Sequence, residues 1–356
     1  MKRLAVALAA AIAVLALAEA GLRVRARSQG IPFEEAWRRY TGRGVTDPVY
    51  VAHPYLGRAH RPSFEFRYRS EIFDREVLWR FNSFGYRGPE IEIPKPPGRV
   101  RVLCVGGSTT FGGENPEEAT YPALLQAALR ERSPEADIEV VNAGVAGYTS
   151  VESVVDFALR GLDLEPDLVI LYHGVNDVPA ALTPRFKSDY SHWTPPHRRV
   201  PGGVPTLPER SLLLLTVRWK LERPAAAEAD APLLEAPPPE AIAAFERNTR
   251  TVARLAKSRR ARVVLPSFAE RIHLYPDLAS EKPLYAGKAH PSAEAFRRTI
   301  AAFNEVLRRV AEEESALHPD LQALLPDSKD AFLDWMHLTD AGNAAMAALL
   351  AAAIAE

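Results

Sequence analysis

Val100-Arg101-Val102-Leu103-Cys104-Val105 runs directly into Gly106-Gly107-Ser108, an apolar run cut off by two glycines and a hydroxyl. The pattern recurs twice: Ile138-Glu139-Val140-Val141 leads into Asn142-Ala143-Gly144, and Leu168-Val169-Ile170-Leu171 leads shortly into Gly174-Val175-Asn176-Asp177. Short runs of this kind, bounded by turn residues, read as buried strands. Between and after them the spacing becomes helical. Thr120 to Arg132 has apolar residues at Leu124, Leu125 and Leu129, and Ser150 to Leu162, Ala241 to Ser258 and Ala295 to Glu313 follow suit. Arg262 to Leu265 reads as a fourth strand, and Thr339 as the N-cap of a last alanine-rich helix. Strands alternating with helices predict an α/β fold of three layers, a mostly parallel sheet covered by helices on both faces. Ligands of such sheets gather at the carboxyl ends of the strands, so Ser108, Gly144 and Asn176 are expected on one rim.

A fourth segment, Asp334-Trp335-Met336-His337, supplies what the first three lack. A serine hydroxyl is a poor nucleophile until a base takes its proton, and an imidazole oriented by a carboxylate is such a base. Ser108 is the candidate nucleophile, His337 the base and Asp334 its orienting partner. The backbone N–H groups of Ser108 and Gly144 and the side-chain amide of Asn176 are the candidate oxyanion donors. Each element alone has a duller reading. Gly144 is then a turn glycine, Asn176-Asp177 a cap, and Asp334 and His337 a loop pair. A phosphate-cradling reading of Gly106 to Gly113 lacks the Gly-Lys-Ser/Thr ending that such loops need. The joint occurrence in this chain order favours the hydrolytic reading.

The four segments resemble the signature blocks of the SGNH hydrolases, also called GDSL esterases and lipases, over about Arg99 to Glu356. The resemblance implies a flavodoxin-like sheet and ester hydrolysis, with Ser108 as nucleophile, Asp334 and His337 completing the triad, and Gly144 and Asn176 in the oxyanion hole. One departure is visible: the family's usual Gly-Asp-Ser appears as Gly106-Gly107-Ser108.

Of the 356 residues, 47% are hydrophobic and 25% charged, which is enough for a large core with a smaller appended module. A formal net charge of −1 offers no field for a nucleic-acid backbone. Cys104, the single cysteine, excludes an internal disulfide and reads as a buried core thiol. Lys2 and Arg3 precede an uncharged run from Leu4 to Ala18, with Ala18-Glu19-Ala20 as a small-x-small cleavage pattern and Arg23, Arg25 and Arg27 beyond it. Residues 1–22 are therefore expected to be either a cleaved signal or an uncleaved membrane anchor, and both place the remainder outside the cytoplasm. Residues 23–98 are expected to form a small β-rich module and linker. Its strands are read at Ser63 to Arg69 and Glu76 to Asn82, before Pro94-Lys95-Pro96-Pro97-Gly98.

Residues 99–356 are the expected catalytic domain, interrupted at about 178–239 by a proline- and alanine-rich insertion. Its apolar segment, Leu212 to Trp219, is assigned to core packing by default, and Ala225 to Pro239 to a flexible linker. Phe268 to Pro291 also lacks periodicity and is expected to border the pocket. Of the remaining histidines, His173 reads as a satisfied core or rim residue, and His192 and His197 show no convincing ligand spacing. No metal or cofactor is expected, and Asp177 is expected to order its loop. The expected substrate is an ester-bearing small molecule, glycan or lipid. A serine esterase acting on small acyl groups is the leading reading, beside an O-acyltransferase, a lipase or lysophospholipase, and a catalytically silent glycan-binding protein.

Overall fold

The computed structural model describes residues 2–28, 49–70, 72–193, 211–221, 232–276 and 291–355. The first elements in chain order are α1 (Lys2–Ser28), β1 (Tyr50–His53), β2 (Gly57–His60), β3 (Phe64–Ser70), β4 (Arg75–Phe81), β5 (Val100–Gly106), α2 (Ser108–Phe111) and α3 (Tyr121–Arg132). Then come β6 (Ile138–Gly144), α4 (Ser150–Asp156), β7 (Leu168–Tyr172), α5 (Val178–Leu182) and α6 (Leu212–Leu221). The last are α7 (Pro239–Ser258), β8 (Arg262–Val264), α8 (Ala293–Glu313), α9 (Leu321–Leu324) and α10 (Asp340–Ala355).

Two units divide these elements, one of Met1–Arg58 with His197–Asp230 and the other of Ala59–Pro196 with Ala231–Glu356. The larger unit holds a sheet of order β6-β5-β7-β8, parallel throughout. Val264 bridges in parallel to Leu317, which extends the β8 edge by one contact. Adjacent β5 side chains point to opposite faces, as the pleat requires. Cys104 hydrogen-bonds with Tyr121 at the start of α3, whereas Leu103 packs toward Gly161, just past α4. On the first face α3 packs against α10, and on the other α7 packs against α4 and α8. This is the expected three-layer α/β/α fold. The helix expected from Ser150 to Leu162 is regular only to Asp156 and continues through a wider turn, Phe157–Gly161.

The antiparallel β3–β4 hairpin also belongs to the larger unit, so the units do not divide at residue 98, where the linker was expected to separate module from catalytic domain. The physical reason is Arg87. Its guanidinium is buried and donates to the carbonyls of Phe111, Gly112 and Asn115, which stitches the segment after the hairpin to the chain after the first signature block.

In the smaller unit, α6 packs against α1. The Glu19 carboxylate accepts hydrogen bonds from the N–H groups of Leu212 (3.1 Å) and Leu213 (2.8 Å) and from Ser211 Oγ (2.9 Å), and so caps the first turn of α6. Burial opposes ionisation of Glu19, but these bonds and Arg23 outweigh it and hold its pKa at about 2. The apolar segment from Leu212, assigned to core packing by default, packs on α1. Among the described residues no helix is long and apolar enough to cross a membrane. His197, residues 225–231 of the Ala225 to Pro239 linker and residues 277–290 of the Phe268 to Pro291 stretch lie outside the described residues.

Candidate active site

Ser108 opens α2 immediately beyond the end of β5. The turn is close-packed enough to require glycine: a Cβ at Gly106 would lie 2.1 Å from Thr110 Oγ1 and 2.8 Å from the Tyr172 carbonyl. At the other end of α2, Gly112 takes the left-handed conformation (φ 67°) and returns its N–H to Ser108 O.

His337 and Asp334 sit in a loop closed on itself by Leu333 N–H bonding to His337 O at 2.8 Å, just before α10. Thr339 caps that helix, as expected, by accepting from Gly342 N–H at 3.1 Å. Asp334 Oδ1 accepts from the backbone N–H groups of Met336 and His337, both at 2.8 Å. Its Oδ2 stands 2.7 Å from His337 Nδ1, and His337 Nε2 stands 2.8 Å from Ser108 Oγ. With a carboxylate at Nδ1, the network assigns the proton to that nitrogen and leaves Nε2 to accept from the serine.

Burial opposes charge on Asp334, but the His337 charge and the hydrogen bonds from His337 and Met336 outweigh it, so its pKa is held below the ordinary value. Burial likewise opposes an imidazolium at His337. The Asp334 charge and hydrogen bond, with Glu114 further off, outweigh that and raise its pKa. About a third of each side chain's surface is exposed (33% and 30%), so the pair is reached by solvent.

Asn176, which is 7% exposed, follows β7 and donates from Nδ2 to the Tyr148 carbonyl at 2.9 Å. A Cβ at Gly107 would lie 2.5 Å from that same Nδ2. The glycine in place of the family's aspartate thus leaves the Asn176 amide room beside the Gly107-Ser108 peptide.

Gly144, expected to offer its N–H to the oxyanion, has that N–H engaged elsewhere. It is the last residue of β6, not a residue beyond it, and its N–H already donates to Asn142 Oδ1 at 3.0 Å. Its lack of a side chain serves packing, since a Cβ there would lie 2.3 Å from Phe111 N and 2.7 Å from Thr110 C. The glycine that leaves the strand is Gly147, in the left-handed conformation (φ 83°). Among the described residues its N–H enters no backbone hydrogen bond. The sequence carried a signal for it, because Gly147 directly precedes Tyr148-Thr149, where the next helix is capped.

Three other polar groups near the site are structural. Asp177 is fully buried and accepts from Ser150 N–H, Ser150 Oγ and Tyr190 Oη, as expected of a loop-ordering residue. His173 is buried against Ser153 Oγ at 2.6 Å. His192 holds the Lys187 N–H and the Ala180 carbonyl. Cys104 is buried, and burial pushes its thiol up to about 12, which leaves no reactive thiolate.

The parallel sheet thus carries a serine near its carboxyl rim, with a histidine and a carboxylate in line behind the serine hydroxyl. The chain belongs to the GDSL-like lipase/acylhydrolase family, whose model matches residues 104–345, and it is an ester-hydrolysing enzyme. No curated protein matches it in sequence. Among solved structures it is similar to Axe2, an acetylxylan esterase from Geobacillus stearothermophilus, with 18% identity over 72% of this chain and 94% of that one and a TM-score of 0.43. It is also similar to LAE5, an alpha/beta hydrolase enzyme from the metagenome of Lake Arreo, Spain, with 17% identity over 72% and 95% of the two chains and a TM-score of 0.44.

Proposed function

We propose that the chain is a serine esterase in which Ser108 is the nucleophile, His337 the base and Asp334 its partner. The observation that carries this reading is the unbroken line from Asp334 Oδ2 through the imidazole to Ser108 Oγ, with both spacings at hydrogen-bond length. Ser108 Oγ attacks the ester carbonyl as its proton passes to His337 Nε2, and Asp334 stabilises the imidazolium. The tetrahedral oxyanion is held by the N–H groups of Ser108 and Gly147 and by Asn176 Nδ2, with Gly147 taking the place first given to Gly144. His337 then returns the proton to the leaving alcohol, and water releases the acyl group by the reverse sequence.

The substrates we assign are small acyl esters, such as O-acetyl groups, on a glycan outside the cytoplasm. The support for that location is the positively charged start and apolar run of the first residues. The test is turnover of p-nitrophenyl acetate, butyrate and octanoate by the wild type, Ser108→Ala and Asn176→Ala. Expected are loss of turnover in Ser108→Ala, a fall of ~10²–10³ in kcat for Asn176→Ala, and preference for acetate. Wild-type turnover in Ser108→Ala would sink the nucleophile. An acyl-enzyme that forms but turns over only when a sugar acceptor is added would make the chain an acyltransferase.

A further inference from the structure

We infer that Arg75, on the β3–β4 hairpin, is a positioning residue that holds the Ser108 and His337 segments in register. The inference rests on the roles proposed for Ser108 and His337. Those two residues are 229 positions apart and meet across a single hydrogen bond. Proton transfer within such a pair is sensitive to displacements well below the width of a side chain. Something besides that bond must fix the spacing of the two backbones.

Arg75 belongs to neither segment and binds both. Its Nη1 donates to Asp340 Oδ2 at 2.6 Å and its Nη2 to Asp340 Oδ1 at 2.8 Å, a two-pronged grip on the first residue of α10, three positions after His337. The same Nη2 donates to the Glu114 carbonyl at 3.2 Å, in the loop that leaves α2. Asn115 Nδ2 completes the knot by donating to Asp340 Oδ1 at 2.8 Å.

The hairpin grips that loop at further points. Tyr68 Oη (2.7 Å) and Trp79 Nε1 (2.8 Å) both donate to the Gly113 carbonyl, and Ser70 Oγ donates to Glu114 Oε2 at 2.6 Å. Trp79 also stacks edge-on against Phe111 of α2, with ring centroids 4.9 Å apart. The hairpin is therefore fastened to the nucleophile's loop, and Arg75 carries that fastening across to the histidine's helix. An exposed ion pair contributes little to stability, and with Arg75 and Asp340 respectively 28% and 43% exposed, the expected effect is on geometry.

The test uses the full chain with p-nitrophenyl acetate, comparing Arg75→Ala, Arg75→Lys, Asp340→Asn and the Arg75→Ala/Asp340→Asn pair. Expected is a kcat loss of roughly 10- to 100-fold in Arg75→Ala with KM unchanged. Guanidinium chloride, below concentrations that unfold the protein, should restore part of that activity. Arg75→Lys keeps the charge without the fork and should recover only part of kcat. The double variant should lose little more than Arg75→Ala alone, because both changes break one contact. Wild-type kcat in Arg75→Ala, or a loss that guanidinium does not relieve and that adds to the Asp340→Asn loss, would overturn the inference. If Arg75→Ala does not fold, Arg75→Lys decides: wild-type kcat there overturns it. A Ser108→Ala variant that remained active would instead defeat the proposed function, so the two failures are distinguishable.

Discussion

In the role proposed for it, His337 meets two opposing demands: it must be neutral to accept the Ser108 proton, yet its environment favours the imidazolium. Because Asp334 raises its pKa, the neutral base is gained only as pH rises above the ordinary imidazole value of ~6.5. The ascending limb of kcat/KM against pH should therefore lie above that value in the wild type. Asp334→Asn removes the charge that raises the pKa and also the acceptor that fixes the tautomer. Its limb should move to lower pH while kcat falls by about 10⁴. A pH profile of the variant whose limb stays put would show that another group sets it. At this scale the sequence singled out groups whose chemistry is distinctive, namely Ser108, Asp334, His337 and Asn176, and the structure brings the first three into one hydrogen-bonded line. The sequence was less legible for the donor proposed on the backbone. Gly144 and Gly147 are both glycines in one short run, and only the end of β6, three residues later than expected, separates the packing glycine from the one left outside the strand.

At the scale of the element, α2 is a single turn of helix pinned from three sides. Gly106 and Gly144 lie beneath it, Arg87 holds its carbonyl end, and the hairpin holds the loop beyond. Gly144→Ala should show how little room it has. The added methyl would meet backbone atoms at 2.3 and 2.7 Å, which cannot rotate away as a side chain can, so a loss of about 1–3 kcal/mol in urea denaturation is expected. Activity should fall in parallel because Ser108 rides on the displaced turn. Full stability in that variant would mean that β6 and α2 can part more easily than their contact implies. The strands and long helices were readable because their apolar periodicity is local. The β3–β4 hairpin was readable as a hairpin, but not as a wall of the site. Its bonds to Gly113, Glu114 and Asp340 join residues 34 to 265 positions apart, and no local pattern records such a meeting.

Across the whole molecule, two buried groups around α4 pull the pH dependence of stability in opposite directions. Burial lowers the pKa of His173 from 6.5 to about 3. The folded state thus binds fewer protons there than the unfolded one, and its contribution is lost as pH falls below 6.5. Burial also raises Asp177 from 3.8 to about 7, against the bonds from Ser150 and Tyr190. That contribution is complete below 3.8 and is lost as pH rises through 7. Between roughly pH 4 and 6.5 the two slopes offset each other, so the wild-type urea midpoint should vary little there. His173→Gln should then make the protein gain stability as pH falls through that window, and Asp177→Asn should make it lose stability. Parallel slopes in the two variants would show that neither group titrates as its burial implies.

The cap that Glu19 places on α6 lies upstream of Ala20, the last residue of the small-x-small pattern, while the helix it caps begins 193 residues downstream of Glu19. A peptidase cutting after Ala20 would carry off the acceptor for Leu212 and Leu213 with the excised peptide and leave their N–H groups behind. Maturation would then be felt as a frayed first turn in the middle of the chain as well as a shortened beginning.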